Sequence, residues 1–273
     1  MKINTTIDWF ACTKRDNEIP QFPSNFTTKF ETDKPMRGYQ YGFRYPDGRK
    51  VSSSDIQGVY IQYSGKVLNS LSTDALEIIK FHRLQGYKSS RIDLAIDAHD
   101  SGLSIDSLYQ AFKREETETK AKNASIIENT QGGKTLYIGS RQSEAFVRIY
   151  DKAKEQNQTG DWKRIEIELK GYKAQEATNM CIASNNLSKL ITSIVLGYIN
   201  FPRNMHYQRI VKSDKTPIKS DKKQTSDTRK WLMNDVISAM VKVYKNGDTS
   251  IVYDFMEALS SELNKEETNK SQE

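Results

Sequence analysis

The sequence predicts an α+β protein with a helical appendage at its C-terminal end. Three observations predict it. Segments with apolar residues at alternate positions recur up to residue 170, the period of a half-buried strand. Segments with helical spacing lie between and after them. Charged residues line the polar sides of three strands, and these faces can coincide if the strands lie in one antiparallel sheet.

The elements follow in order. Over 6–12, Ile7, Trp9 and Ala11 alternate with Asp8 and Phe10, a first strand. Residues 13–36 are polar and broken by Pro20, Pro23 and Pro35, which reads as loop. Tyr39, Tyr41, Phe43 and Tyr45 alternate over 38–45; Pro46, Asp47 and Gly48 then turn the chain back towards Val51, a hairpin. With Arg37 and Arg44 this aromatic ladder is either ordinary sheet packing or a platform for unpaired bases. A strand over 58–63 closes at Ser64 and Gly65. Leu76, Ile79 and Phe81 give 73–85 helical spacing, with Asp74 as the capping residue.

Next comes the strand RIDLAID, where Ile92, Leu94 and Ile96 alternate with Asp93, Ala95 and Asp97. The two carboxylates share a face about 7 Å apart along the strand. Like charges at that distance need a cation between them. Either a divalent ion supplies it, or Arg91 and Lys88 do, on a solvated face. His99, two residues beyond Asp97, is a possible third ligand. A short helix over 104–114 and a charged, solvated connection over 115–124 follow. Residues 135–139 and 145–151 form a strand pair, and 161–170 a long strand with Ile165, Ile167 and Leu169 towards the core. Helices are expected over 173–180 and 186–198.

Residues 1–202 therefore read as the main domain, 203–225 as a mobile basic linker, and 226–273 as a C-terminal helical segment that either binds DNA or packs on the main domain. That last part holds helices over 228–244 and 250–263 and a disordered tail from residue 265.

Composition bounds the function. With 36% hydrophobic and 28% charged residues, the chain has a soluble globular balance. Its 41 Lys and Arg against 35 Asp and Glu give a net charge of +6, a mild bias towards a polyanionic partner. Cys12 and Cys181 have no metal-ligand spacing, and the chain reads as cytoplasmic with free thiols. No apolar run approaches the roughly 20 residues a membrane helix needs, so no membrane partner is expected.

The chemistry-bearing residues lie on three strand faces. The first holds Asp93 and Asp97, the second Arg148 and Tyr150 followed by Lys152, and the third Arg164, Glu166 and Glu168. Brought together, they are a suitable set for phosphodiester transfer by a tyrosine. A divalent metal polarises the phosphate, the hydroxyl attacks, and cations stabilise the developing charge. A phenol has a pKa near 10. Lys152, on the expected continuation of the Tyr150 face, would help it ionise.

These motifs together resemble the replication initiation factor family, which includes rolling-circle initiators of plasmids and phages and some conjugative relaxases. The matching stretches are IDWFACT, VYIQYSGKVL, RIDLAID, GGKTLYIGSRQSEAFVRIYDKAKE, GDWKRIEIELKGYKA and SDTRKWL, in that order and over nearly the whole chain. The resemblance implies a central antiparallel sheet flanked by helices and a metal-dependent DNA nicking and joining enzyme. It implies that Asp93, Asp97 and a glutamate of RIEIELK, Glu166 ahead of Glu168, hold Mg²⁺ or Mn²⁺. Tyr150, in RIYDK, is the expected nucleophile, with Tyr172 and Tyr207 as alternatives. Some members carry a tyrosine directly after the arginine of the later strand; Ile165 stands there in this chain.

The leading expectation is a rolling-circle replication initiator; a conjugative relaxase and a non-catalytic DNA-binding regulator are the rivals. Single- and double-stranded DNA are the expected partners, with a host helicase and a homodimer as further possibilities. Arg203, Lys212, Lys215, Lys219, Lys222, Lys223, Arg229 and Lys230 are expected to bind DNA phosphates.

Overall fold

The computed structural model describes all residues except 17, 19, 25, 72–73, 131, 213–217, 219–235 and 271–273. The chain divides into two compact units, Met1–Ser220 and Asp221–Glu273.

The first unit begins with β1 (Lys2–Lys14), β2 (Glu31–Thr32), β3 (Tyr41–Arg44), β4 (Lys50–Ser54) and β5 (Gly58–Ser64). Helices α1 (Gly65–Ser70) and α2 (Ala75–Leu84) lead into the long β6 (Lys88–His99). Then come α3 (Ile105–Lys113), β7 (Glu118–Thr119), β8 (Ala124–Glu128), β9 (Lys134–Ile138) and β10 (Ala145–Asp151). The unit continues through α4 (Lys152–Glu155), β11 (Trp162–Lys170), α5 (Gly171–Ala183), α6 (Leu187–Tyr198), β12 (Ile199–Asn200) and α7 (Met205–Ile210). The described part of the second unit contains α8 (Ile237–Lys245) and α9 (Ser250–Lys270).

Ten strands form one sheet in the order β2-β3-β4-β5-β1-β6-β11-β10-β9-β8, and a separate pair joins β12 to β7. Every pairing is antiparallel. The expected α+β fold with an antiparallel sheet is therefore what the chain adopts. Its centre is β6, between β1 and β11. Alternation sends Ile92, Leu94 and Ile96 to one side, beside Ile165, Ile167 and Leu169 of β11, all fully buried. Helices α5 and α6 cover this side. Their buried residues, among them Ala174, Ala177, Ile191, Ile194 and Val195, complete the core.

Helix ends follow local chemistry. Asp74 caps α2 by accepting from the Leu76 N–H at 2.7 Å, as its position predicted. Ser104 caps α3 through the Ser107 N–H, and Asn186 caps α6 through that of Lys189. Gly247, at φ 97°, follows α8 with the left-handed backbone common just beyond a helix end.

Several expectations need correction. Edge strand β8 was not foreseen: its residues are mostly exposed, so they show no clean apolar alternation. Inside the charged connection, Glu118 and Thr119 pair with β12. Inside the expected linker, Met205–Ile210 is helical, with Tyr207 and Ile210 buried and Asn204 capping the Tyr207 N–H at 2.9 Å. The last helix continues to Lys270, past the expected start of a disordered tail. Of the helix expected over 228–244, residues 228–235 lie outside the described residues. Among the described residues no helix is long and apolar enough to cross a membrane.

Candidate active site

The face of the sheet opposite α5 and α6 collects the charged residues. Register aligns Asp93 with Glu168 and Asp97 with Arg164 across β6 and β11. It aligns Arg148 with Glu166 and Tyr150 with Arg164 across β10 and β11. Thr135 and Tyr137 of β9 extend the row beside Tyr150 and Arg148. The sequence-predicted residues of the three strands thus meet on one surface.

Arginines hold the carboxylates. Arg91 donates two hydrogen bonds to Asp93, at 2.8 and 2.6 Å, and pairs with Glu168 at 2.8 Å. Arg148 donates to Glu166 and to Asp93, the latter at 3.2 Å. Arg164 forms a two-pronged contact with Asp97, at 2.8 and 2.7 Å, and reaches Asp8 at 2.6 Å. The Trp162 indole N–H adds a bond to Asp97 at 2.7 Å, and Lys170 pairs with Glu168 at 2.7 Å. Forked guanidinium contacts of this kind are among the strongest polar interactions in proteins. Arginines compensate Asp93 and Asp97 here, with Arg91 in the part foreseen for it; the two carboxylates are buried and not on the expected solvated face, because the guanidinium groups and the sheet cover them, and Lys88 is not a partner in these contacts. His99 stacks on Trp162, with ring centres 5.0 Å apart, at the end of the row.

Asp8 is the member the sequence reading missed. A register shift between Ile7 and Trp9 places it in a β-bulge of β1, and the bulge breaks the alternation that would have assigned its face. Gly65 permits the arrangement. A Cβ there would lie 2.3 Å from Asp8 Oδ1 and 2.7 Å from the Asp8 carbonyl oxygen. The signal was present in the IDWF motif and the Ser64-Gly65 close, but only the bulge joins them.

Burial dominates the electrostatics. It raises Asp93 above the usual carboxylate range, against the pull of Arg91, and raises Glu166 against that of Arg148. Asp8 is raised by burial against Arg164. Burial also pushes Glu168 upward, but Lys170 and Arg91 outweigh it and hold the group low. The half-buried Tyr150 donates its hydroxyl to Glu166 Oε2 at 3.0 Å. Its phenol sits well above its ordinary range, through burial first and the Glu166 charge second, with Arg164 opposing.

The expected role of Lys152 changes. It is the first residue of α4, not a continuation of β10, because the Asp151 side chain caps the Lys154 N–H and starts the helix. Its ammonium pairs with Glu155 and lies 5.6 Å from the centre of the Tyr150 ring, while the Tyr150 hydroxyl is held by Glu166. The alternative tyrosines stand apart. Tyr207 is fully buried and donates to the Ile199 carbonyl at 2.9 Å; Tyr172 is exposed, in the first turn of α5.

Asp93, Asp97, Glu166 and Glu168 offer the oxygen donors that a divalent ion such as Mg²⁺ or Mn²⁺ prefers. In this arrangement they do not fit one. Each already faces a cationic side chain, and among the described residues no group of three acidic, histidine or cysteine side chains is arranged to hold an ion.

Of the expected phosphate-binding residues, Arg203 is exposed and pairs with Glu116 at 3.4 Å, and Lys212 is exposed. Lys215, Lys219, Lys222, Lys223, Arg229 and Lys230 lie outside the described residues.

Relatives agree with this fold. A rolling circle replication initiator protein from Geobacillus stearothermophilus superposes with a TM-score of 0.62 at 20% identity, over 80% of this chain and 93% of that one, a likeness of fold. The putative DNA relaxase NicK of Bacillus subtilis (strain 168) is 28% identical over 197 residues, which are 63% of this chain. That match spans 56% of NicK, little more than half its length. The profile of the replication initiation factor family matches residues 87–259, more than half of the chain and most of the charged face, and the chain belongs to that family.

Proposed function

We propose that this protein initiates rolling-circle replication by nicking one DNA strand at an origin and later rejoining it. The observation that carries the proposal is the position of Tyr150. Its hydroxyl is hydrogen-bonded to Glu166 on a face that also holds Arg148 and Arg164, in a chain of the replication initiation factor family.

The tyrosine oxygen attacks the scissile phosphorus, and the P–O3′ bond breaks. The phenol loses its proton along the hydrogen bond to Glu166, and the 3′ oxygen leaves, taking up a proton from solvent to become the free hydroxyl that a polymerase extends. Arg148, with about a quarter of its side chain exposed, is the more accessible cation for the phosphate; Arg164 is more deeply buried. Reversal of the same step rejoins the strand. A Mg²⁺ or Mn²⁺ ion at Asp93, Asp97, Glu166 or Glu168 would have to draw these groups away from their arginines, so the ion requirement is part of the test. DNA is the partner, contacted through Arg203, Lys212 and the basic residues up to Lys230; a host helicase and a homodimeric working unit complete the proposal.

Likeness to a putative relaxase favours one second reading, nicking at a transfer origin by the same chemistry. The experiment incubates the full chain with single-stranded oligonucleotides tiling its own replicon, with Mg²⁺, Mn²⁺ or EDTA, and maps any detergent-resistant adduct by mass spectrometry. An adduct on Tyr150, absent from Tyr150→Phe, is expected. An adduct on Tyr172 or Tyr207 refutes the assigned nucleophile. Intact DNA binding with no adduct favours the non-catalytic regulator. Which oligonucleotide reacts, from a replication or a transfer origin, separates the two nicking readings.

A further inference from the structure

A cavity of about 230 Å³ opens directly beside Tyr150. One wall is the sheet face, with Thr135 and Tyr137 of β9 next to Arg148 and Tyr150 of β10. A second wall is the turn between β8 and β9, where Asn129 Oδ1 accepts from the Gly133 N–H at 2.8 Å and the Asn129 N–H donates to the Gly133 carbonyl at 2.9 Å. A third comes from α4. Gly133 keeps these walls close: a Cβ there would stand 2.9 Å from Asn129 Nδ2 and 3.0 Å from Lys154 Cβ.

Three properties define the occupant. The volume lies below the roughly 300–1,000 Å³ of sites that take drug-sized ligands, so one ring system fits better than two stacked ones. Every lining side chain can donate or accept a hydrogen bond, which suits the edge of a base rather than an apolar group. The aromatic ring of Tyr137 is held by its neighbours: it stacks on Phe146 at 5.6 Å and 14°, and the Arg141 guanidinium lies 5.2 Å from its centre. Sequence-selective proteins read unpaired bases in this way, by aromatic rings together with hydrogen bonds to base edges.

We infer that this cavity receives the base of a nucleotide adjoining the scissile phosphate, so that Thr135, Tyr137 and Asn129 select the sequence at the nick. The inference rests on Tyr150 as the nucleophile only in placing the base next to the scissile phosphate, because the cavity and the nucleophile share a wall. Base binding in the cavity does not depend on that chemistry.

The test uses oligonucleotides that each carry one abasic position. Their binding to the full-length Tyr150→Phe chain is measured, so that no strand is consumed, and wild-type adduct formation maps the cut. One position within a nucleotide of the cut is expected to lose on the order of tenfold in affinity when its base is removed. Adding Thr135→Phe, which fills the cavity, should abolish that position's effect and leave the others. Adding Thr135→Val, which keeps the volume and removes the hydroxyl, should retain the abasic effect and weaken the preference among the four bases. This second variant decides the matter if the first fails to fold, as read from its melting temperature. A flat abasic series around the cut overturns the base pocket while the Tyr150 adduct stands. An abasic effect unchanged by a folded Thr135→Phe, or a base preference unchanged by Thr135→Val, overturns it equally. Absence of any adduct overturns the nicking reading, and the abasic series with its Thr135 dependence still reads the cavity.

Discussion

Replacing Arg164 by alanine should lower the stability of the Met1–Ser220 unit by about 3–5 kcal/mol, the cost of stripping one partner from a buried ion pair. Only 6% of the Arg164 side chain is exposed, against 9% for Asp97 and 22% for Asp8, so solvent screening does little to soften the loss. Three charge-assisted hydrogen bonds disappear together: two to Asp97 and one to Asp8. Asp97 keeps the Trp162 indole N–H, which places the cost inside that range rather than above it. For a unit of this size the loss corresponds to a fall in melting temperature of roughly 6–20 °C.

The sign of the pH dependence is a second check. Asp8 already lies above its ordinary value through burial, and removing Arg164 raises it further. A carboxylate raised in the folded state favours folding as the pH falls, because the folded protein then binds more protons than the unfolded one. The deficit of Arg164→Ala should therefore shrink from pH 7 towards pH 5. Urea unfolding at several pH values measures it. A melting temperature within 2–3 °C of wild type, on the order of 1 kcal/mol for a unit of this size, would refute the view that Arg164 compensates two buried carboxylates. A deficit that grows on acidification would refute the assignment of charge.

Two further outcomes follow from the same geometry. Gly65→Ala should destabilise the unit by about 1–3 kcal/mol, the usual cost of overpacking, because its Cβ meets Asp8 Oδ1 at 2.3 Å. The companion change Asp8→Ala should recover part of that loss in a thermal melt, and no recovery would show that the clash lies elsewhere. His82, buried and hydrogen-bonded to the Tyr63 hydroxyl at 2.7 Å, is pulled down by burial to about 3. A histidine depressed in the folded state gives stability that is complete above about pH 6.5 and lost as the pH falls towards 3, at up to roughly 1.4 kcal/mol per pH unit. His82→Phe should flatten the unfolding profile between pH 6.5 and 5 relative to wild type; identical slopes would refute it.

The long strands were legible because each buries one face. Ile92, Leu94 and Ile96, like Ile165, Ile167 and Leu169, alternate cleanly because helices cover one side and charges line the other. Edge strand β8 buries little, and α7 is a six-residue helix inside a basic segment, so neither leaves a periodic trace. The grouping of Tyr150, Arg148, Arg164, Glu166 and Glu168 was legible for the same reason: alternation fixes the face once the strands are known to be neighbours.

The partners of those charges were decided only in three dimensions. Alternation identifies the face of a carboxylate but not which of several cations reaches it, because that depends on register and on side-chain length across two or three strands. Arg91 on Glu168, Arg164 on both Asp97 and Asp8, and Glu166 on the Tyr150 hydroxyl are contacts between strands, invisible along one of them. A capping aspartate turned Lys152 out of the strand, and a bulge brought Asp8 into the site. The sequence alone determined the antiparallel strands, their faces and the residue types that meet there. Tertiary structure alone decided that arginines occupy the carboxylates and that a cavity opens beside Tyr150, because both depend on distances across the sheet, which no one strand contains.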